Sequence, residues 1–544
     1  MAARKLSINH SHDKLWQKAV EYAHQSNWNK ATELYSKLIK LYPSNTDLLL
    51  QAALSVAQMG DLNTAFNIMK TLYDLKPKDP NVLSNFAVIC SRLNLIDQAE
   101  QLLELALIIA PKNIDYILNL STVLNLKNKH LEAIDLIKKA IQIEPIFPKS
   151  YVLLGTTFSK LGINSAAMEA YLTALSFEPK NLEARFNIAI IQSLEGNTEY
   201  SISEFEKILK TIGKNHLNSL PIEVVKFLLS FEYMKTQRLI EAFDYYEYGF
   251  DKNVQSSGRY PRRHFSKPMW NGVFTQGIKV LIWGEQGIGD QIMFMTCLKI
   301  LAQSNFNFIV ECEPRLVSIF SRSFPHFKVR PPCVNNDILL TPVNEDYDYH
   351  LPMGSLMKYV INKMEDFDKL GPYLKIDSAL AVKYENMLSE ISNKKRIGIC
   401  WRSGNLNAER NIHYTNLIDW KIIFEVPNCE FINLQYGDCE SELLEAEECC
   451  NLNIIRFADL DLKNDFESTM ALISRLDLVI TVGTAVSQQA ASIGIPVVLM
   501  MQRDWSNFGT DHYPFYENIA CLFPPKGGTV AECLGKAAKI LRAI

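Results

Sequence analysis

One hydrophobic pattern recurs along the first half of the chain. Prolines fall at Pro43, Pro77, Pro111, Pro145 and Pro179, 34 residues apart. Twelve residues before each stands an alanine: Ala31, Ala65, Ala99, Ala133 and Ala167. Twenty-four before each is a small residue: Ala19, Ala53, Ala87, Ser121 and Gly155. Eight before each is a large apolar one: Tyr35, Met69, Leu103, Ile137 and Tyr171. Four registers kept over five periods predict consecutive pairs of antiparallel helices. Small residues sit where the helices touch, large ones fill the groove between neighbours, and the proline ends the second helix. A sixth unit keeps Ala189, has Ser201 where the alanine stood, and loses its proline. A seventh, out of register after an insertion at 213–220, carries Ser230, Ala242, Tyr246 and Gly249. Such decay is expected where a solenoid meets another domain.

The 34-residue unit resembles the tetratricopeptide repeat. The resemblance implies a superhelix over residues 12–250, about seven repeats, with a concave groove for a protein or peptide partner. Spacing or homo-oligomerising the second half of the chain is the other role open to it.

After Phe250 the period disappears. Residues 251–276 are polar, basic and proline-containing, and read as a linker or as an extended arm laid over the next domain. Within them Arg259, Arg262, Arg263 and His264 are candidates to touch phosphates, or are solvated linker residues. From Gly277 short apolar strands alternate with helices, which implies parallel βα units. Strands are expected at Lys279–Trp283, 308–311, 349–351 and 373–376, and again at 395–401, 430–434, 452–456, 477–482 and 496–501. Helices are expected at 291–301, 466–476 and 529–543. Two Rossmann-like lobes result, 277–392 and 393–544, with ligands expected at the carboxyl edges of the strands.

Composition narrows the reading. The 544 residues exceed one hydrophobic core. A formal net charge of -4 argues against nucleic-acid binding. No apolar run approaches the roughly 20 residues of a membrane span, and MAARKLSINHSHDKLW has no apolar core of a secretory signal. The 11 cysteines are scattered without a CxxC pair, as are the ten histidines without HExxH. Reduced thiols, a cytoplasmic location and no zinc site are expected.

The turn Gly284-Glu-Gln-Gly-Ile-Gly-Asp290 has glycines spaced GxxGxG, unlike the dinucleotide fingerprint, and lacks the lysine of a P-loop. With WGEQGIGDQIMF (283–294), ICWRSGN (399–405), the run 465–501 and RDWSNFGTDHYPFY (503–516), it resembles bacterial tetratricopeptide-repeat glycosyltransferases related to the heptosyltransferases. More distantly it resembles the protein O-linked N-acetylglucosamine transferases. The resemblance spans 277–523 and implies a two-lobed GT-B glycosyltransferase. It implies an inverting, metal-independent transfer from a nucleotide-diphosphate sugar, with no tightly bound cofactor, to a protein or peptide acceptor.

By that resemblance Asp290 is the candidate base, with an ordinary helix cap as its alternative role. Gly287 and Gly289 let the backbone approach a ligand. The diphosphate is expected at the helix opened by Thr484, Ala485, Val486 and Ser487, where free N–H groups and the helix dipole favour an anion. Arg402, Ser403 and Asn405 follow the first strand of the second lobe and are expected to face the same cleft, and Arg410 matches a family arginine in the same loop. Gln435 ends the next strand, toward the base or ribose. The family reads Asp-Thr-Ala-Val-Ala-His at the phosphate helix; here Gly483 and Gln488 replace the aspartate and the histidine, and Ser468 replaces a further aspartate. These departures open a second reading: a non-catalytic repeat scaffold carrying a degenerate transferase domain.

Overall fold

Interior positions in the first half follow the repeat registers directly. In the computed structural model, which describes residues 10–212, 220–254, 258–273, 275–302, 306–335, 338–339, 345–391, 393–404 and 413–544, packing divides the chain into two units, Met1–Ile222 and Glu223–Ile544.

Among the described residues the first unit is twelve helices, from His10–His24 to Thr198–Ile212, paired in sequence. Ala31, Ala65, Ala99, Ala133 and Ala167 are all fully buried, as are Ala19, Ala53, Ala87, Ser121 and Gly155. The large residues that face them, Tyr35 to Tyr171, are equally buried. Each proline follows the residue that caps the second helix of its pair, where its missing N–H removes no helical bond. Asn or Asp caps recur at the first helix of a pair: Asn45, Asp79, Asn113 and Asn181 accept from Leu48, Val82, Tyr116 and Ala184 backbone N–H. Ser201, the odd member of its register, donates to Ala189 O at 2.8 Å. The hydroxyl that replaces an alanine is thus satisfied across the helix pair.

The seventh pair departs from expectation. Helices Ile222–Lys235 and Leu239–Tyr246 fall with the α/β half, so the boundary lies near residue 222 instead of 250. Their aromatic residues explain this. Phe231 and Tyr246 meet Trp505, and Phe243 meets Phe508. Asp244 pairs with Lys358 at 2.7 Å.

The rest of the second unit is two parallel sheets. In the first, the order is β3 (Lys328–Arg330), β2 (Asn307–Glu311), β1 (Lys279–Trp283), β6 (Tyr349–Pro352). A two-stranded hairpin of β4 (Val334–Asn335) and β5 (Ile338–Leu339) stands apart. In the second, the order is β12 (Ile519–Leu522), β11 (Val497–Met500), β10 (Leu478–Val482), β7 (Lys395–Cys400), β8 (Cys429–Asn433), β9 (Ile454–Ile455). All sheet pairings within these two are parallel. β10 and β11 are buried along their whole length, as strands covered on both faces must be. Strand order reverses between β1 and β6 in one sheet and between β7 and β10 in the other. Those are the places where open sheets leave a crevice.

Three expectations are corrected. Residues 373–376 form no strand; the Tyr373 and Leu374 N–H groups both donate to Ser492 O of the second sheet's layer, at 2.8 and 3.0 Å. The expected helix 291–301 begins earlier and is broken, as Ile288–Met295 and Leu298–Leu301. The expected strand 452–456 shrinks to β9. Residues 251–276 are an arm held by the first lobe: Met269 bridges to His350, and Trp270 N–H donates to His350 O at 2.9 Å. Its arginines are structural. Arg259 is buried against Glu285, Arg263 is buried and pairs with Glu311 at 2.6 Å, and Arg262 donates to Asp251 O at 2.6 Å.

Candidate functional site

The turn after β1 builds one wall of the site. Gln286 takes a left-handed conformation at φ 58°, and Gly287 then caps helix Ile288–Met295. Asp290, at the third position of that helix, reaches back so that its Oδ2 accepts the Gly287 N–H at 3.0 Å. Gly287, not Asp290, is therefore the cap residue; it has no side chain to return the bond, so the Asp290 carboxylate makes only the backward half of a capping box. It also faces a cavity of about 470 Å³. Burial pushes the Asp290 carboxyl up to about 6, and the negative charges of Glu285 and Asp504 add to this against the Gly287 N–H. A carboxylate poised there is suited to accept a proton near neutrality.

The turn after β10 builds the opposite wall. Gly483 and the extended Thr484 lead into helix Ala485–Ser492. The Thr484 side chain makes no capping bond; its Oγ1 lies 3.3 Å from Thr481 Oγ1 and 3.6 Å from Cys400 Sγ. Two helix N-termini thus converge on one cavity, and they touch through Gly289. A Cβ there would lie 3.3 Å from Ala485 Cα. Gly287, Gly289, Asp290, Ser403, Thr484, Ala485 and Ser487 all line the cavity, so the structure brings most of the expected residues together.

Others stand apart. Val486 is buried and borders an adjoining cavity of about 290 Å³. Arg402 is directed to Glu442: Nε donates to Oε1 and Oε2 at 3.0 and 3.1 Å, Nη2 to Oε1, and Nη2 to Asp438 O at 2.7 Å. It does not line the cavity, and the expectation that it faces the same cleft as the donor helix is corrected. Gln435 is buried, and its Oε1 accepts from the backbone N–H of Trp401 and Arg402 at 3.2 and 3.0 Å. It fastens the segment after β7 to the end of β8 and borders a third cavity of about 550 Å³. Asn405 and Arg410 lie outside the described residues. Ser468 belongs to the first turn of helix Phe466–Ile473, its N–H on Asp465 Oδ1 at 2.9 Å.

Further residues line the cavity that were not among the expected site residues, several of them inside the runs 283–294, 465–501 and 503–516. Tyr436 borders all three cavities and sits over Ser403. Asp504, Trp505 and Tyr513 complete the apolar end with Met293, Leu499 and Met501. Asp504 accepts from Ser506 N–H and Oγ at 2.8 and 2.6 Å, and burial raises its carboxyl. Gln488, at the position of the family histidine, donates to Tyr513 OH at 2.9 Å. A Cβ on Gly483 would meet nothing within 4 Å. Among the described residues the cavity is lined by two carboxylates, Asp290 and Asp504, and by no lysine or arginine. No group of three or more His, Cys, Asp or Glu among them is placed to hold a metal ion. Nor is any described helix long and apolar enough to cross a membrane.

Comparison with known proteins bears first on the helical half. Tetratricopeptide-repeat models match residues 56–122 and 148–181. The first unit is a tetratricopeptide-repeat array. The chain is also 26% identical, over 410 residues, to Protein FlbA of Caulobacter vibrioides (strain ATCC 19089 / CIP 103742 / CB 15). That match covers 73% of this chain and 67% of the relative, a span too long to lie in the repeats alone. Among solved structures, the MamA protein is similar at 20% identity with a TM-score of 0.27, covering 32% of this chain and 94% of that one. A thermophilic tetratricopeptide-repeat protein of Thermus thermophilus is 21% identical with a TM-score of 0.31, covering 33% and 98%.

Proposed function

We propose that the second unit is a GT-B glycosyltransferase domain. It moves a sugar from a nucleotide-diphosphate donor to a protein or peptide held by the repeat array. One observation carries this reading: Asp290, with a carboxyl raised to about 6, faces the N-terminus of helix Ala485–Ser492 across one cavity. Asp290 takes the proton of the acceptor hydroxyl as its oxygen bonds the anomeric carbon, while the bond from that carbon to the diphosphate oxygen breaks and the nucleoside diphosphate leaves with the electron pair, its charge held by the helix end. Inversion follows from a single displacement. Apolar residues of the lining, Met293, Leu499 and Met501, limit water around the sugar.

A second reading, a repeat scaffold with a degenerate transferase domain, is favoured by Gly483 and Gln488 at the phosphate helix. A thermal-shift panel of nucleotides and nucleotide sugars, followed by donor-hydrolysis and peptide-transfer assays, separates the two. A ligand at 100 times its dissociation constant adds about 2.7 kcal/mol to stability. Binding with turnover that Asp290→Asn abolishes supports the transferase. No binding by any member of the panel sinks it.

A further inference from the structure

The turn that presents Asp290 is gripped from behind by the arm. Glu285, fully buried, accepts from Arg259 Nε at 2.8 Å, from Arg259 Nη2, and from the Gly354 N–H at 2.8 Å. Arg259 also donates to Ser355 Oγ at 3.0 Å and pairs with Glu247 at 3.1 Å. Its guanidinium lies over the Tyr246 and Phe250 rings, 4.3 Å from each centroid. The next residue on each side repeats the grip in backbone form, Gln286 N–H donating to Tyr260 O at 2.7 Å.

Two glycines make room for this pair. A Cβ on Gly354 would lie 2.6 Å from Glu285 Oε1, and one on Gly249 would lie 2.7 Å from Arg259 Cγ. A buried ion pair adds little net stability over an apolar filling of the same volume. A planar fork on a carboxylate does, however, fix direction. Two residues beyond Glu285, the Gly287 N–H holds Asp290 Oδ2.

We propose that Arg259 and Glu285 are positioning residues: they fix the turn after β1 so that Asp290 faces the cavity with its carboxylate on the Gly287 N–H. The proposal rests on the reading of Asp290 as the group that takes the acceptor's proton. Glu285 also acts by its charge. The charged groups that bear on Asp290 are Glu285 and Asp504, and His413 and Lys235 act on Asp504 in turn; the phenols of Tyr246 and Tyr513, raised by burial and by Asp290 itself, stay neutral where Asp290 titrates. Removing the Glu285 charge while Arg259 stays leaves Asp290 easier to ionise.

The test is titration of Asp290 in the full chain by carbon-13 NMR of labelled aspartate, assigned by Asp290→Asn. Glu285→Gln, close to isosteric, is expected to lower the Asp290 midpoint by about half a unit or more. The acidic limb of any transfer or donor-hydrolysis profile is expected to move with it. Arg259→Lys keeps the charge and loses the fork, and is expected to slow turnover while leaving the midpoint nearer to the unsubstituted protein's. A folded Glu285→Gln protein with an unmoved Asp290 midpoint overturns the proposal, even if Asp290 proves essential for transfer. A moved midpoint in a protein without transferase activity upholds the positioning and sinks the transferase reading.

Discussion

Gly155 leaves the space that the Tyr171 ring occupies: a Cβ on this glycine would lie 2.6 Å from Tyr171 Cε1. In other repeats the same pair of positions holds Ala53 with Met69 and Ala87 with Leu103. Small and large residues are matched within each pair of helices. Glycine inside a helix costs about 1 kcal/mol against alanine, and here the overlap with an aromatic ring outweighs that gain. Gly155→Ala is therefore expected to lower the unfolding free energy by about 1–2 kcal/mol. In a Tyr171→Met background the same change is expected to be neutral or stabilising. Denaturant unfolding of the four proteins of the cycle measures the coupling.

Stability should depend on pH through Asp290. In the folded protein it holds its proton up to about pH 6, whereas an unfolded aspartate loses it near about 3.9. The folded state therefore binds more protons between those values. The contribution of Asp290 is fully present below about pH 4 and is lost as pH rises through about 6. Ionising it in place costs on the order of 3 kcal/mol at most. Asp290→Asn should then unfold less readily than the unsubstituted protein at pH 8, with the advantage gone at pH 4. Equal differences at the two pH values would show that Asp290 titrates normally.

Arg402 is expected to matter for stability and little for ligand. With its guanidinium on Glu442 and Asp438 O, Arg402→Met and Glu442→Gln should each cost about 1–2 kcal/mol. The double variant should cost less than their sum, since each removes the same pair. Nucleotide affinity by calorimetry should change less than about threefold. A tenfold loss with unchanged stability would return Arg402 to the donor site.

Gly289 keeps two helix ends in contact. The branched side chain of Gly289→Val meets Ala485, whose Cα already lies 3.3 Å from the position of a Cβ. The variant should fold with a loss of about 1–2 kcal/mol and lose most nucleotide binding. Gly483→Ala is the control: it meets nothing within 4 Å and should stay within about 0.5 kcal/mol of the unsubstituted protein.

The sequence made the repeats legible because their period is itself a packing rule: each register is one kind of contact, and buried alanines, glycines and aromatics recur with it. Most of the strands were legible for the same reason, as apolar runs between turns. What failed depended on partners far along the chain. The alternation in Tyr373-Leu-Lys-Ile376 looks like a strand, but two of its N–H groups are claimed by Ser492. Arg402 suits a phosphate and a carboxylate equally, and Glu442 lies 40 residues away. Arg259 and Arg263 looked like solvent-facing cations, yet both are buried against glutamates of the first lobe, Glu285 in the turn after β1 and Glu311 in β2. β3 and β12 are a three-residue and a four-residue edge strand, too short to show a period. Tyr436 lines the cavity without any spacing that marks it, and nothing within RDWSNFGTDHYPFY singles out Asp504 or Trp505 as cavity residues.

The helix pair Ile222–Lys235 and Leu239–Tyr246 determines where this chain can be cut and rejoined. A junction after residue 250 would take Phe231 and Tyr246 from Trp505, and Phe243 from Phe508, leaving bare rings beside a cavity wall. A junction just ahead of residue 222 keeps those rings covered. The α/β half with one helix pair attached is thus the piece that keeps its own aromatic contacts when the chain is divided.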